Sequence, residues 1–297
     1  MGRIANRFDR ASHPAFSADW NRMFIVSHPS PHLRTGLRTS LHAALLAAVL
    51  LAAPSAHGLT GEADIHVLGE VHDNPEHHVR QAEIVARLQP AALVFEMLTP
   101  EQARAARGVP RDDAATLSEA LGWEGTGWPD FKMYHPIFAA APEAEIFGAA
   151  LDRETLTRAR IDGAADAFGP EATQYGLVPL PPEDQAAREV EQARAHCDML
   201  PDELLPGMVE VQRMRDAHFA RVAVEAFAQA GGPVVVIAGT GHARTDVGIP
   251  AALAAARPDL AVVALGQLEQ EPEGAVPFDV VAISPGPERD DPCAVFR

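Results

Sequence analysis

Six short, largely apolar runs stand out along the chain. These are Ile65–Leu68, Ala91–Phe95, Glu145–Ala149, Val234–Ala238, Leu260–Leu265 and Val280–Ile283. Continuous rather than alternating runs are the pattern of strands buried on both faces. Segments of helical character separate them, so the predicted fold class is α/β: a mainly parallel central sheet flanked by helices. Asn74-Pro75 predicts a helix start, an N-cap followed by proline at the first helical position. That helix should run to about Leu88, before Pro90. A long alanine-rich helix is predicted from about Met208 to Ala230, stopped by Gly231-Gly232 as the next strand begins at Val234. From Thr99 to Pro206 the character changes to helical segments, proline joints and aromatic turns bearing Trp123, Trp128, Phe131 and Tyr134. This region, about 99–206, reads as a helical subdomain inserted into the α/β core, with the run at 145–149 returning to the sheet.

The N-terminal fifth has a different pattern. Arg34 and Arg38 precede an apolar run from Leu41 to Ala53, and small residues follow at Ser55 and Ala56. A basic stretch, a short apolar run and a small-residue cleavage site form a secretory signal. The run is shorter than the ~20 residues a membrane span needs. Residues 1–57 are therefore read as an N-terminal extension and signal peptide, with Met23 an alternative start, and the mature protein as periplasmic.

Charge narrows the partners. The 297-residue chain carries a formal charge of −17. The first 57 residues hold six arginines and two aspartates, so 18 basic and 39 acidic side chains remain without them, a net charge near −21. Such a surface repels phosphate backbones and argues against nucleic acid. Cys197 and Cys293 are the only cysteines. They either pair in an oxidising compartment or remain free thiols. Their number excludes a zinc–cysteine site, and the leader has no cysteine for a lipid anchor.

The polar chemistry gathers where strands end. Gly69-Glu70-Val71-His72-Asp73-Asn74-Pro75-Glu76-His77-His78 follows the first strand, the position at which open parallel sheets bind ligands. Glu70 and His72 share one side if the strand pitch continues, and such a pair binds metal or exchanges protons. His77 and His78 lie in the first turn of the following helix. Gly239-Thr240-Gly241-His242-Ala243-Arg244 follows a second strand, and Glu96 ends a third. In the long helix, Gln212, Arg215, Asp216 and Phe219 share one face. They form either a surface ion-pair row or a wall of the site. No Gly-x-Ser-x-Gly elbow, phosphate-binding loop or dinucleotide fingerprint is present.

Taken together, GEVHDNPEHHVRQ at 69–81, VFEM at 94–97, QRMRDAHFA at 212–220 and GTGHARTDVGIP at 239–250 resemble the ChaN family of haem-binding uptake proteins. That family sits within the wider erythromycin esterase, ChaN and Tiki-like superfamily. WPDFKMYHPIF at 128–138 is similar to the family's inserted region. The resemblance implies a single α/β domain over 58–289 with residues 290–297 as a tail. It also implies haem near a homodimer interface, a tyrosine on iron, and service to haem or iron transport machinery. Tyr134 and Tyr175 are the only tyrosines. Tyr134 is the favoured iron ligand, with His135 or an arginine assisting its ionisation and with His77, His78, Arg215 and Arg244 as further haem contacts. Family members are often lipoproteins, and the missing leader cysteine favours a free periplasmic form.

Three functions follow as expectations. The first is haem binding for iron uptake. The second is a metal-dependent hydrolase in which Glu70, His72, Glu96, Asp216 and His242 are catalytic and His72 and His242 hold a divalent metal. The third is a scaffold retaining the polar core of an enzymatic ancestor.

Overall fold

The structure is a computed structural model that describes residues 62–291, 293 and 294. The leader and the alternative start at Met23 lie outside the described residues. In chain order the elements are β1 (Ile65–Glu70), α1 (Pro75–Leu88), β2 (Ala92–Phe95), α2 (Pro100–Ala105), α3 (Ala114–Leu121), α4 (Phe131–Ala140), β3 (Glu145–Gly148), α5 (Arg153–Asp162), α6 (Ala164–Phe168), α7 (Pro182–Ala195), α8 (Leu205–Ala230), β4 (Val234–Gly239), α9 (Ile249–Ala256), β5 (Val262–Leu268) and β6 (Val280–Ile283). The six strands form one parallel sheet in the order β3-β2-β4-β1-β5-β6.

Side-chain alternation along the strands builds two cores. Ile65, Val67, Val94, Val234 and Val236 face α5, α6, α8 and α9. Leu68, Leu93, Phe95, Val235 and Ile237 face α1, α2, α3 and α4. Every residue of β1, β2 and β4 is buried, which is why the sequence shows largely apolar runs there, broken in β1 by the buried His66. Region 99–206 supplies helices to both faces, with β3 between them on the sheet edge.

Local chemistry sets the elements next to the site. Asn74 caps α1 by accepting a 3.0 Å hydrogen bond from the Glu76 amide, and Pro75 follows as the first helical residue. α8 starts at Leu205, three residues before the predicted Met208, and ends at Gly231 with φ 85°, a conformation open to glycine at little cost. β1 runs on to Glu70 and β4 to Gly239, so polar residues complete the ladder. The register pairs Glu70 with Gly239.

The sheet order creates a switch point. From β1 the chain passes through α1 to β2 on one side, and from β4 it passes through α9 to β5 on the other. β1 and β4 are neighbours, so the crevice beyond their carboxyl ends is where a doubly wound sheet receives ligands.

Candidate functional site at the strand ends

Parity decides which side of the sheet each carboxylate takes. Glu70 continues the Leu68 side of β1 and meets α1 and α4. Its Oε1 accepts 2.8 Å from the Tyr134 hydroxyl and 2.9 Å from His72 Nδ1, and His78 Nε2 lies 3.2 Å from Oε2. Glu96 continues the Val94 side of β2 and meets α8. Its Oε2 accepts 2.7 Å from the Gly239 amide, and Arg215 pairs with Oε1. Asp216 Oδ1 lies 2.6 Å from His242 Nδ1, and Gln212 Nε2 lies 3.0 Å from the same nitrogen. The Phe219 ring packs edge-on against His242 at 5.0 Å. The four-residue face of α8 is therefore a wall of the site and not a surface ion-pair row.

His72 links the two halves. Its Nδ1 side holds Glu70 while Nε2 stands 3.9 Å from Glu96 Oε2, beyond hydrogen-bond length. Trp128 meets its ring edge-on at 4.9 Å. A Cβ on Gly239 would fall 3.0 Å from His72 Nε2, so a larger residue there would press on the imidazole that lies over the strand end.

The charges are mutually set. Burial alone would raise the Glu70 carboxyl, but the His78 charge and hydrogen bonds from His72 and His78 hold it well below the usual carboxylate range. Burial likewise opposes ionisation of Glu96, and His242, Arg215, His72 and the Gly239 amide outweigh it and lower its pKa. Burial would lower the His72 pKa, yet Glu96 and Glu70 raise it. Asp216 is shifted upward because burial exceeds the pull of His242.

A cavity of about 300 Å³ opens over this network, lined by Glu70, His72, Glu96, Arg188, Asp216 and His242 among others. It lies at the small end of the 300–1,000 Å³ typical of drug-sized ligand sites. A second cavity of about 320 Å³, walled by Met97, Trp128, Leu151, Leu156 and Arg215, shares Glu96 with it.

The remaining candidates are placed as follows. His77 is buried, its Nδ1 accepting 2.9 Å from the Val71 amide. The His78 ring packs tilted against Tyr134 with ring centroids 4.3 Å apart. Arg244 lines the cavity but pairs with Glu191 and Asp246, each at 2.8 Å. Tyr134 is 0% exposed. Burial first, and then the Glu70 charge and hydrogen bond, raise its pKa well above the ordinary phenol value, so the group is a neutral donor to Glu70. His135 is directed to the Arg111 carbonyl at 2.9 Å. Tyr175 belongs to the core on the opposite sheet face, packed on Phe168. Among the described residues no three His, Cys, Asp or Glu side chains are arranged to hold a metal ion.

Several residues escaped the sequence reading. Arg188, Glu191, Gln192 and Ala195 of α7 line the cavity. Their i, i+3, i+4, i+7 spacing marks one helix face, but a mostly polar face is indistinguishable from a solvated one in sequence. Gln267 is fully buried and donates 2.8 Å to the Gly69 carbonyl; it carries no local signal.

Fold and site together define a doubly wound α/β protein with a carboxylate–imidazole centre at its switch point. Residues 60–253 match the family described as haem-binding uptake, Tiki superfamily, ChaN, and the chain belongs to that family. The fold is shared with ChaN of Campylobacter jejuni, solved as "Cofacial heme binding to ChaN", at 23% identity and a TM-score of 0.57 over 74% of this chain and 87% of that one. The type III effector HopBA1 is similar at 12% identity and a TM-score of 0.40, covering 75% and 88%. An erythromycin esterase mutant in its open conformation is similar at 13% identity and a TM-score of 0.37, covering 71% of each chain. No curated protein matches the sequence.

Proposed function

We propose that this protein is an exported haem-binding protein serving haem or iron uptake, acting as a homodimer in the periplasm. The observation that carries the reading is the family match across residues 60–253. The Cys197–Cys293 disulfide supports export, because such bonds persist in oxidising compartments. Haem bound here would bring its own iron chemistry, and the protein's part is to hold and orient it. A cavity of about 300 Å³ takes one arm of a macrocycle and not the ring, so the ring belongs at the mouth. Tyr134 serves this site by fixing Glu70. Tyr134 is buried with its hydroxyl on Glu70 and Tyr175 is buried in the opposite core, so neither hydroxyl lines the cavity.

Haemin titrated into the mature protein tests the reading. A saturable Soret band is expected, unchanged in position in Tyr134→Phe; no saturable band in the wild type would end it.

A second reading rests on the Asp216–His242 pair, 2.6 Å apart beside Glu96. An imidazole oriented by a carboxylate over a cavity is the arrangement a hydrolase uses to move protons. Loss of ester hydrolysis in His242→Ala would support it, and no turnover above buffer by the wild type on a panel of esters would remove it.

A further inference from the structure

The cavity at the strand ends is lined by four carboxylates, and each has a partner from the protein. Glu70 has Tyr134 and His72, Glu96 has Arg215 and the Gly239 amide, Asp216 has His242, and Glu191 has Arg244. Arg244 is in turn shared with Asp246. Arg188 differs from these. It lines the same cavity from α7, it is half-buried, and among the described residues it makes no hydrogen bond or ion pair. Its guanidinium offers five N–H donors, and Asp216, Asp184 and Glu191 favour its charge, with Arg213 opposing it, only through space. His72 lines the same space, its Nε2 standing 3.9 Å from Glu96 Oε2 and beyond hydrogen-bond length.

We propose that Arg188 grips a carboxylate group of the ligand inside this cavity. A planar guanidinium matches a carboxylate with two parallel hydrogen bonds. The charge balance favours a singly charged group. Glu70, Glu96, Asp216 and Glu191 border the cavity, and a phosphate dianion would meet more repulsion from them than a carboxylate. The cavity's volume of about 300 Å³ and apolar wall of Val71, Ala195, Val209 and Val247 suit a short carboxylate-bearing arm. The proposal rests on the haem reading only for the owner of that arm. Haem carries propionates, and one propionate entering the cavity leaves the ring at its mouth. A small carboxylic acid is the other source of the same chemistry.

Three probes separate these sources: haemin, haemin dimethyl ester and benzoate. Each is titrated into full-length mature wild type, Arg188→Gln and Arg188→Lys, with haem followed by the Soret band and benzoate by calorimetry. Matched circular dichroism and melting curves establish that the variants fold. We expect Arg188→Gln to weaken haemin at least tenfold, the ester to bind wild type as weakly as haemin binds that variant, and Arg188→Lys to recover part of the loss. Haemin binding that ignores both esterification and Arg188→Gln overturns the proposal. If haemin fails to bind wild type, the haem reading falls by itself and benzoate decides. Benzoate binding lost in Arg188→Gln then supports the carboxylate site, and no binding, or binding indifferent to Arg188, overturns it.

Discussion

His72 and His77 stand five residues apart, and their surroundings shift their pKa values in opposite directions. His72 lies between two carboxylates and its pKa is raised; His77 is desolvated and its pKa is lowered to about 4. His218 is also lowered to about 4, and His66 and His196 are lowered, in each case with burial as the largest cause. An unfolded histidine binds its proton below about pH 6.5, so in that range the unfolded state holds more protons than the fold at these four positions. These four positions therefore lose stability as pH drops from about 6.5 toward 4, His77 alone contributing about 3 kcal/mol of that loss, which outweighs the opposite sign of His72 and Asp216. His72 has the other sign. Its contribution is complete below about pH 6.5 and fades as pH rises through its folded value. Urea unfolding between pH 7 and pH 4 is expected to show a steadily falling midpoint; a flat profile would refute the neutral burial of these histidines.

At the scale of the element, Asn74 does two jobs at the start of α1. Its side-chain oxygen caps the helix, and its Nδ2 donates 2.9 Å to Glu269 Oε1 and 3.2 Å to the Pro285 carbonyl. Aspartate, asparagine and serine are ordinarily equivalent N-caps. Here Asn74→Asp would put a carboxylate oxygen against Glu269 in a fully buried position, whereas Asn74→Ser keeps a cap without added charge. Chemical denaturation should rank wild type above Asn74→Ser and Asn74→Ser above Asn74→Asp, the last step by about 1 kcal/mol or more. Equal stability of the two variants would show that the Glu269 contact does not matter. The same helix was legible in sequence from Asn74-Pro75, because a cap acts within four residues. Its second role was not, since Glu269 arrives from 195 residues away.

Across the whole molecule, the C-terminal tail joins the two walls of the cavity. Arg289 pairs with Asp73 at 2.6 Å and with Glu269 at 2.6 Å, holding the loop after β1. Four residues on, Cys293 is bonded to Cys197 beyond the end of α7, closing a loop with a sequence separation of 96. α7 and the loop after β1 both line the cavity. A bridge over so long a loop contributes about 2–4 kcal/mol, and for a domain of this size each kcal/mol moves the melting temperature by roughly 2–4 °C. The double variant Cys197→Ser, Cys293→Ser should melt roughly 10 °C below wild type. A dithiol reductant should produce the same drop in wild type and none in the variant; identical melting of all samples would contradict the tether.

Sequence alone determined what depends on near neighbours. Strands buried on both faces wrote themselves as largely apolar runs, α1 was marked by its cap and proline, and α8 was ended by Gly231. Glu70, His72, Glu96 and His242 were legible as site residues because each follows an apolar strand. Tertiary structure alone decided what depends on sheet order. Inserting β4 between β1 and β2 sets Gly239 beside both Glu70 and Glu96, and strand parity sends those two carboxylates to opposite faces. It also turned Tyr134 inward onto Glu70, brought Arg188 to the cavity and met Cys197 with Cys293. These contacts join residues whose spacing in sequence carries no periodic signal, so only the packed fold could specify them.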